Sequence, residues 1–191
     1  MEELEEMLLE LKDTSELMID LAYSSLLYNN KEIAEEVQIL EEMLDELCNR
    51  IQMEAIKRVG QDQDPGKAFM IVKMAASVEE ISDAAMQIAD VVLKGVEPHP
   101  VIRMSIRDAD SIITTAQVQE GSDLGNHTLG ELKLATQTGM WIIAIKRDRR
   151  YIYGPDEGTM MQEGDILFAR GPYDAEEFFR DVASGQEKIT K

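Results

Sequence analysis

Apolar residues recur at helical spacing through the first half of the chain. Leu4, Leu8, Leu11, Ser15, Met18 and Ala22 form one stripe, and Ile33, Val37, Leu40, Leu44, Leu47 and Ile51 form a second. Asn29-Asn30 interrupts the pattern between them. Val59-Gly60 ends the second stripe, because glycine readily takes the left-handed conformation of a helix cap. In "QDQDPG", residues 61–66, Asp64 is placed to cap a third helix and Pro65 to occupy its first position. That helix runs to Lys94-Gly95. Three helices of about 25 to 30 residues with short turns predict an up-down-up antiparallel bundle. "GVEPHP", residues 95–100, then breaks the pattern, since its two prolines stop a helix and stiffen the chain. The chain is therefore expected to divide into a helical domain (1–97), a linker with a short helix in "VIRMSIRDAD" (98–109) and a second domain (110–191).

The rhythm of the second half is different. "SIITTAQV", residues 111–118, is β-branched and alternating, which predicts a strand. "TLGELKLATQTG" reads as a helix. "MWIIAIKR" reads as a buried strand, "RYIY" as a short one, and "GDILFARG" as a third, bounded by Gly164-Asp165 and Gly171-Pro172. "YDAEEFFRDVAS" is an amphipathic helix carrying Phe178 and Phe179. The expected fold class is two domains: an all-α three-helix antiparallel bundle, then a small α+β domain of order β-α-β-β-β-α.

Composition narrows the function. Of 191 residues, 44% are hydrophobic, only 5% are aromatic and 12 are Met, a mixture suited to packed helices. The net charge is −19, which argues against nucleic acid and against anionic membrane surfaces as partners, because both recruit Lys and Arg. Cations or the basic face of a partner fit better. The charge is uneven: residues 1–95 hold 22 acids and 8 bases, and residues 96–191 hold 16 and 11. Cys48 is the sole cysteine, so no internal disulfide forms, in keeping with a reducing cytosol. The acidic start "MEELEEMLLE" is unlike a signal peptide. Apolar runs fall short of the roughly 20 residues that span a bilayer. The expectation is a cytoplasmic protein without direct membrane insertion, peripheral only through a membrane transporter.

"GSDLGNHTLGEL", residues 121–132, raises the question of phosphate binding. A P-loop requires Lys and Ser or Thr after its last glycine, and here Gly130 precedes Glu131-Leu132. The dinucleotide fingerprint requires G-x-G-x-x-G, and the glycines here are four and five apart. NAD is therefore not expected. Thr128 and Glu131 instead have the spacing of a capping box. The functional reading is that amides at this helix start, with Asn126, His127 and Thr128, meet a small anion. "KRDRRY", residues 146–151, is the one concentration of positive charge, and Arg147, Arg149 and Arg150 are the candidate phosphate contacts.

The stretch "GSDLGNHTLGEL…GMWIIAIKRDRRYIYGPDEGTMMQEGDILFARGP" resembles the TrkA-C domain, the C-terminal lobe of RCK potassium-regulating modules, over about residues 108–184. The shared parts are the glycine loop with its capped helix, a strand ending in a basic cluster, and a "G-D-x-L" strand closing in "G-P". The family usually has Gly-Lys before the capped helix, where this chain has Asn126-His127. The resemblance implies a homodimeric regulatory lobe that binds a small molecule near its dimer interface, in some members a cyclic dinucleotide.

In the helical half, Glu16 with Asp20 and Glu79 with Asp83 are carboxylates four apart, hence on one helix face. Asp20 and Asp83 stand in otherwise apolar runs, where an unpaired charge is costly. In an up-down-up bundle the first and third helices are parallel, which sets the two pairs at similar heights. The four carboxylates are thus candidate ligands for a hard or borderline cation. Glu41 with Asp45 is a third such pair, read as solvated surface. "SVEEISDAAMQIAD", residues 77–90, resembles the PhoU family, and the likeness extends over about residues 4–95. PhoU proteins carry E-x-x-x-D pairs, some of which hold metal clusters, so a divalent or iron-type metal is implied. They usually repeat the three-helix unit, which occurs once here; a homodimer would restore six helices. The combined expectation is a regulatory subunit of a potassium or other cation transport system, acting on a membrane channel or transporter. The rival is a metal- or phosphate-responsive signalling scaffold. An enzyme is not expected, since neither histidine, His99 between prolines or His127 in a loop, has a nucleophile near it in sequence.

Overall fold

The computed structural model of the chain describes residues 2–59, 64–97 and 111–189. The chain forms two compact units, Met1–Ile106 and Arg107–Lys191. The first contains helices α1 (Glu2–Tyr28), α2 (Lys31–Val59) and α3 (Pro65–Leu93). Asn29 turns the chain with a φ of 50°, and the Asn30 side chain accepts from the amide of Ile33 at 3.1 Å, which starts α2. Asp64 accepts from the amide of Gly66 at 2.9 Å, with Pro65 in the first turn of α3. Gly60 and the short helix expected within 98–109 lie outside the described residues. No described helix is long and apolar enough to cross a membrane.

The stripe expected on α2 is buried at all six positions. On α1 the expected positions Leu4, Leu11, Met18 and Ala22 are buried, Leu8 and Ser15 are half-buried, and Met7 and Thr14 beside them are buried as well. The reason is that α1 packs against both other helices, so its buried face is wider than one stripe. The inner face of α3 is made of small residues, Ala68, Ala75, Ser82, Ala85 and Ala89, with Val92 at its end. Small side chains at the contact let helix axes approach closely. Two weak polar contacts cross this layer: Ser82 Oγ donates to Met18 Sδ at 3.3 Å, and Cys48 Sγ to the Ala75 carbonyl at 3.5 Å. Burial is the main cause that pushes the Cys48 thiol up to about 11, with Glu79 and Asp45 adding to it.

The second unit is a four-stranded antiparallel sheet in the order β1-β4-β2-β3, where β1 is Ile112–Gln117, β2 Trp141–Arg147, β3 Arg150–Tyr153 and β4 Ile166–Gly171. Alternation along the strands divides the sheet into two faces. One carries Ile112, Thr114, Ala116, Leu167 and Ala169, all buried. Helix α6 (Glu176–Ser184) packs on β1 and buries Phe179, Val182 and Ala183. Thr114 and Glu176 share a hydrogen bond of 2.6 Å, and Arg180 donates to the Thr114 hydroxyl. The other face carries Trp141, Tyr151, Tyr153 and Phe168. The Tyr151 and Tyr153 rings stack at 5.8 Å, and Lys146 Nζ lies 5.6 Å from the Tyr151 ring centre.

The single helix expected over residues 128–139 is two short ones, α4 (Leu129–Leu132) and α5 (Leu134–Thr138), divided at Lys133 with φ at 47°. Leu132 and Leu134 are both buried. Two residues apart on a continuous helix they would point about 200° from each other, and the left-handed residue between them turns both inward. The final helix also starts later than expected, after a 3₁₀ turn at Tyr173–Ala175.

Gly171 closes β4 against the start of β2. A Cβ there would lie 2.6 Å from the Gly139 carbonyl oxygen and would also meet Met140 Sδ. Gly171→Ala is expected to destabilise the chain by about 1–3 kcal/mol, the usual cost of overpacking, read as a lower urea midpoint with an unchanged slope.

Candidate functional site

The glycine loop is fixed from beneath. Ser122 Oγ donates to the Val182 carbonyl at 2.7 Å and accepts from the Leu124 amide at 3.2 Å. The capping box forms: Glu131 N donates to Thr128 Oγ1 at 3.2 Å, and Thr128 N to Glu131 Oε2 at 3.0 Å. The next two amides are also engaged, Leu129 N with the Thr159 carbonyl at 3.1 Å and Gly130 N with that of Glu157 at 2.8 Å. An alanine Cβ at Gly130 would sit 2.9 Å from the Glu157 carbonyl oxygen. This glycine therefore serves the close approach of the 157–161 segment, which takes up the amides an anion would need. The same segment continues along the loop: Asn126 N donates to the Met161 carbonyl at 2.9 Å, and Met161 N to that of His127 at 3.0 Å. His127 Nδ1 donates to the Gly125 carbonyl at 3.1 Å.

The basic cluster forms a hairpin. Arg147 pairs with Arg150 across a two-residue turn in which Asp148 has a φ of 56°. Arg147 is not a loose surface cation. Its Nε and Nη2 each donate at 2.8 Å to the two oxygens of Asp165, and Nη2 also reaches the Met160 carbonyl at 2.8 Å. Asp165 is 1% exposed and takes a further bond from the Gln162 amide at 2.8 Å. The carboxylate bond raises the already high Arg147 pKa, so its charge is permanent. Arg149 and Arg150 are exposed.

The six residues expected at a ligand thus fall into two groups. Arg147 meets the backbone of Thr128 through Met160, which bridges to Thr128. Arg149 and Arg150 stand at the hairpin tip. Two concavities lie near the loop. One, of about 350 Å³, is lined by Asp123, His127, Glu131, Lys133 and Gln137. The other, of about 460 Å³, is lined by Gly130, Lys133, Thr136, Trp141, Pro155 and Glu157. Both volumes lie in the range of small-ligand sites, and Lys133 borders both. The sequence reading missed Asp165, Lys133 and Trp141. Asp165 was legible only as the entry to a strand. Trp141, the sole tryptophan, is 65% exposed where the pattern places a buried strand.

The carboxylates of the helical unit are arranged differently from the expectation. Glu16 is exposed and pairs with Lys12 at 3.0 Å. Asp20 is half-buried and has contacts of its own. Glu79 and Asp83 act on α2 instead. Burial, then Asp45, Asp83 and Glu42, hold the Glu41 carboxyl above its ordinary range, and Glu79 acts on Cys48. The pair read as solvated surface, Glu41 with Asp45, is therefore the one that faces α3, and Asp45 Oδ1 is buried without a hydrogen bond among the described residues. The oxygen donors would suit a hard cation, but among the described residues no three His, Cys, Asp or Glu side chains are placed to hold one. The metal expectation at Glu16, Asp20, Glu79 and Asp83 does not fit this arrangement.

Comparison with known proteins agrees with the division of the chain. Residues 8–92 match the PhoU domain and residues 113–182 match the TrkA-C domain. The chain thus joins a segment that matches the PhoU domain to one that matches the TrkA-C domain. Sodium/sulfate cotransporter 2 of Chlamydomonas reinhardtii is 31% identical to it over 74 residues, which are 39% of this chain and 8% of that protein. The RCK_C domain dimer of S. agalactiae BusR in complex with c-di-AMP is 27% identical, with a TM-score of 0.36, and the overlap covers 37% of this chain and 93% of that one. The RCK C domain of the potassium transport protein KtrA, in complex with the same cyclic dinucleotide, is 24% identical, with a TM-score of 0.35 and coverage of 43% and 93%.

Three substitutions probe the charges described. Asp165→Ala removes the partner of a partly buried guanidinium and is expected to cost about 3 kcal/mol in chemical denaturation. Arg147→Lys recovers little of the pair, since an ammonium lacks the two-pronged fork. For Glu41, a raised carboxyl binds its proton more strongly in the folded chain. Its favourable contribution is present at low pH and lost as pH rises through the folded value. Glu41→Gln should therefore stabilise the chain at neutral pH by about 0.5 kcal/mol, the scale of a like-charge helix pair. The gain should vanish below about pH 4, as melting curves at the two pH values would report.

Proposed function

We propose that the protein is a non-enzymatic, homodimeric regulator of potassium or other cation transport whose mixed lobe senses a small anionic ligand of the cyclic dinucleotide class. The observation that carries this reading is the TrkA-C match over residues 113–182, nearly the whole described extent of the second unit, following a PhoU match over residues 8–92. The match of a 74-residue stretch with part of a sodium/sulfate cotransporter supports a link to transport.

In this reading the hairpin tip supplies the positive charge. Arg149 and Arg150 form charge-assisted bonds to phosphate oxygens, and Asn126, His127 and Thr128 contribute from the loop. Arg147 positions the hairpin through Asp165 and Met160. Trp141 offers a ring face on which a base can stack. A second copy completes the site across the sheet face that carries Tyr151 and Tyr153. A chain of net charge −19 repels anions at long range, so binding depends on this local cationic patch and weakens with salt. The ligand acts by favouring one arrangement of the dimer, which requires unequal affinity for two states. The readout is a cytoplasmic contact with a membrane channel or transporter. NAD and nucleic acid have no part in it.

The test is thermal and chemical denaturation with a panel of cyclic dinucleotides. At a hundredfold excess over its Kd a true ligand adds about 2.7 kcal/mol. The Arg149→Ala/Arg150→Ala double variant should lose this stabilisation while melting like the parent when unliganded. Absence of stabilisation by every cyclic dinucleotide in the panel would remove this reading.

A further inference from the structure

Helix α3 carries an outward face that its own bundle does not use. Phe69 is 63% exposed, Met70 68%, Met74 44% and Ile81 44%. Met70, Met74, Ser77, Ile81 and Ala84 follow one another at alternating steps of four and three, so they share one side of the helix. That side is opposite the buried row of Ala68, Ala75 and Ser82. Ser77 and Ala84 are small and exposed, which permits close approach at the middle of the row and at its end. Lys73 and Glu80, seven residues apart and so two turns from each other, stand on the same side. Both are exposed, and neither has an ion pair among the described residues.

The charges along the helix are segregated. Residues 65–78 contain Lys67 and Lys73 and no acid, and Glu79, Glu80, Asp83 and Asp90 follow. A face with a basic first half and an acidic second half is complementary to itself turned end for end. We propose that this face pairs with the same face of a second copy of the chain, α3 running antiparallel to α3 about a two-fold axis near Ser77. Lys73 then opposes the partner's Glu80, and the symmetry makes the same pair twice. Met74 packs on the partner's Ile81, and Met70 on the partner's Ala84. Opposed helix dipoles favour the same orientation. A parallel pairing would set lysine beside lysine, and a partner of uniform charge would satisfy only one half of the face. An isologous contact satisfies both.

This contact needs no ligand and is tested without one. Full-length protein carrying Ser77→Cys is oxidised with copper–phenanthroline at micromolar concentration, beside a control with Glu42→Cys, which lies exposed on α2. The control absorbs any tethering due to dimerisation elsewhere in the chain, and the native Cys48 is buried. Disulfide-linked dimer is expected to form severalfold faster from Ser77→Cys than from the control. In the Ser77→Cys background, Lys73→Glu or Glu80→Lys alone should slow it, and the two reversals together should restore it. Equal rates for Ser77→Cys and the control, or a double reversal no faster than the single ones, would overturn the proposal.

Discussion

Asp165 organises the side of the mixed lobe on which both concavities lie. A carboxylate removed from water needs compensating bonds, and this one finds three, two from the Arg147 fork and one from the Gln162 amide. The same guanidinium grips the Met160 carbonyl. From that point the 157–161 segment runs beside the glycine loop, exchanging bonds with Asn126, His127, Leu129 and Gly130. One ion pair thereby ties the β2–β3 hairpin, the loop before β4 and the capped helix into one piece. Arg147 acts in this arrangement by positioning its neighbours, and Arg149 and Arg150 stand exposed at the hairpin tip.

In the helical unit the corresponding constraint is size. Leu11, Met18 and Leu21 on α1 and Leu40, Leu44 and Ile51 on α2 fill the interior. The third helix can complete such a core by offering a nearly flat surface, and its alanines do so. With its small residues turned inward, its larger apolar residues, Phe69, Met70, Met74 and Ile81, point outward. Both the polarity of charge along α3 and the acidic environment of Cys48 belong to this division, since Glu79 and Asp83 lie towards α2.

The sequence was most informative where periodicity is long. Three helices, the break at Asn29-Asn30, the cap at Asp64, and the strands at 112–117, 141–147, 150–153 and 166–171 were all visible in the sequence. The Thr128–Glu131 box was legible because both partners lie within four residues. What escaped depends on distant contacts. Nothing in "ELKLA" announces that Lys133 is left-handed, because the cause is the need to bury Leu132 and Leu134 together. Asp165 is 18 residues from Arg147, and no local pattern couples them. The three carboxylate pairs share one spacing, and which of them come near one another depends on how the helices face each other: Glu79 and Asp83 act on Cys48 and Glu41 of α2.

The helices that wall the first concavity contain four and five residues, too few to hold their shape alone in water. Their order is borrowed from the 157–161 segment, whose carbonyls accept from the Leu129 and Gly130 amides. Elements held in this way have a low free energy of local opening. Slow amide exchange should therefore be found in the sheet and α6, and rapid exchange in the wall beside His127 and Lys133. That is also the part of the lobe through which a bound molecule could most change the molecule's fluctuations.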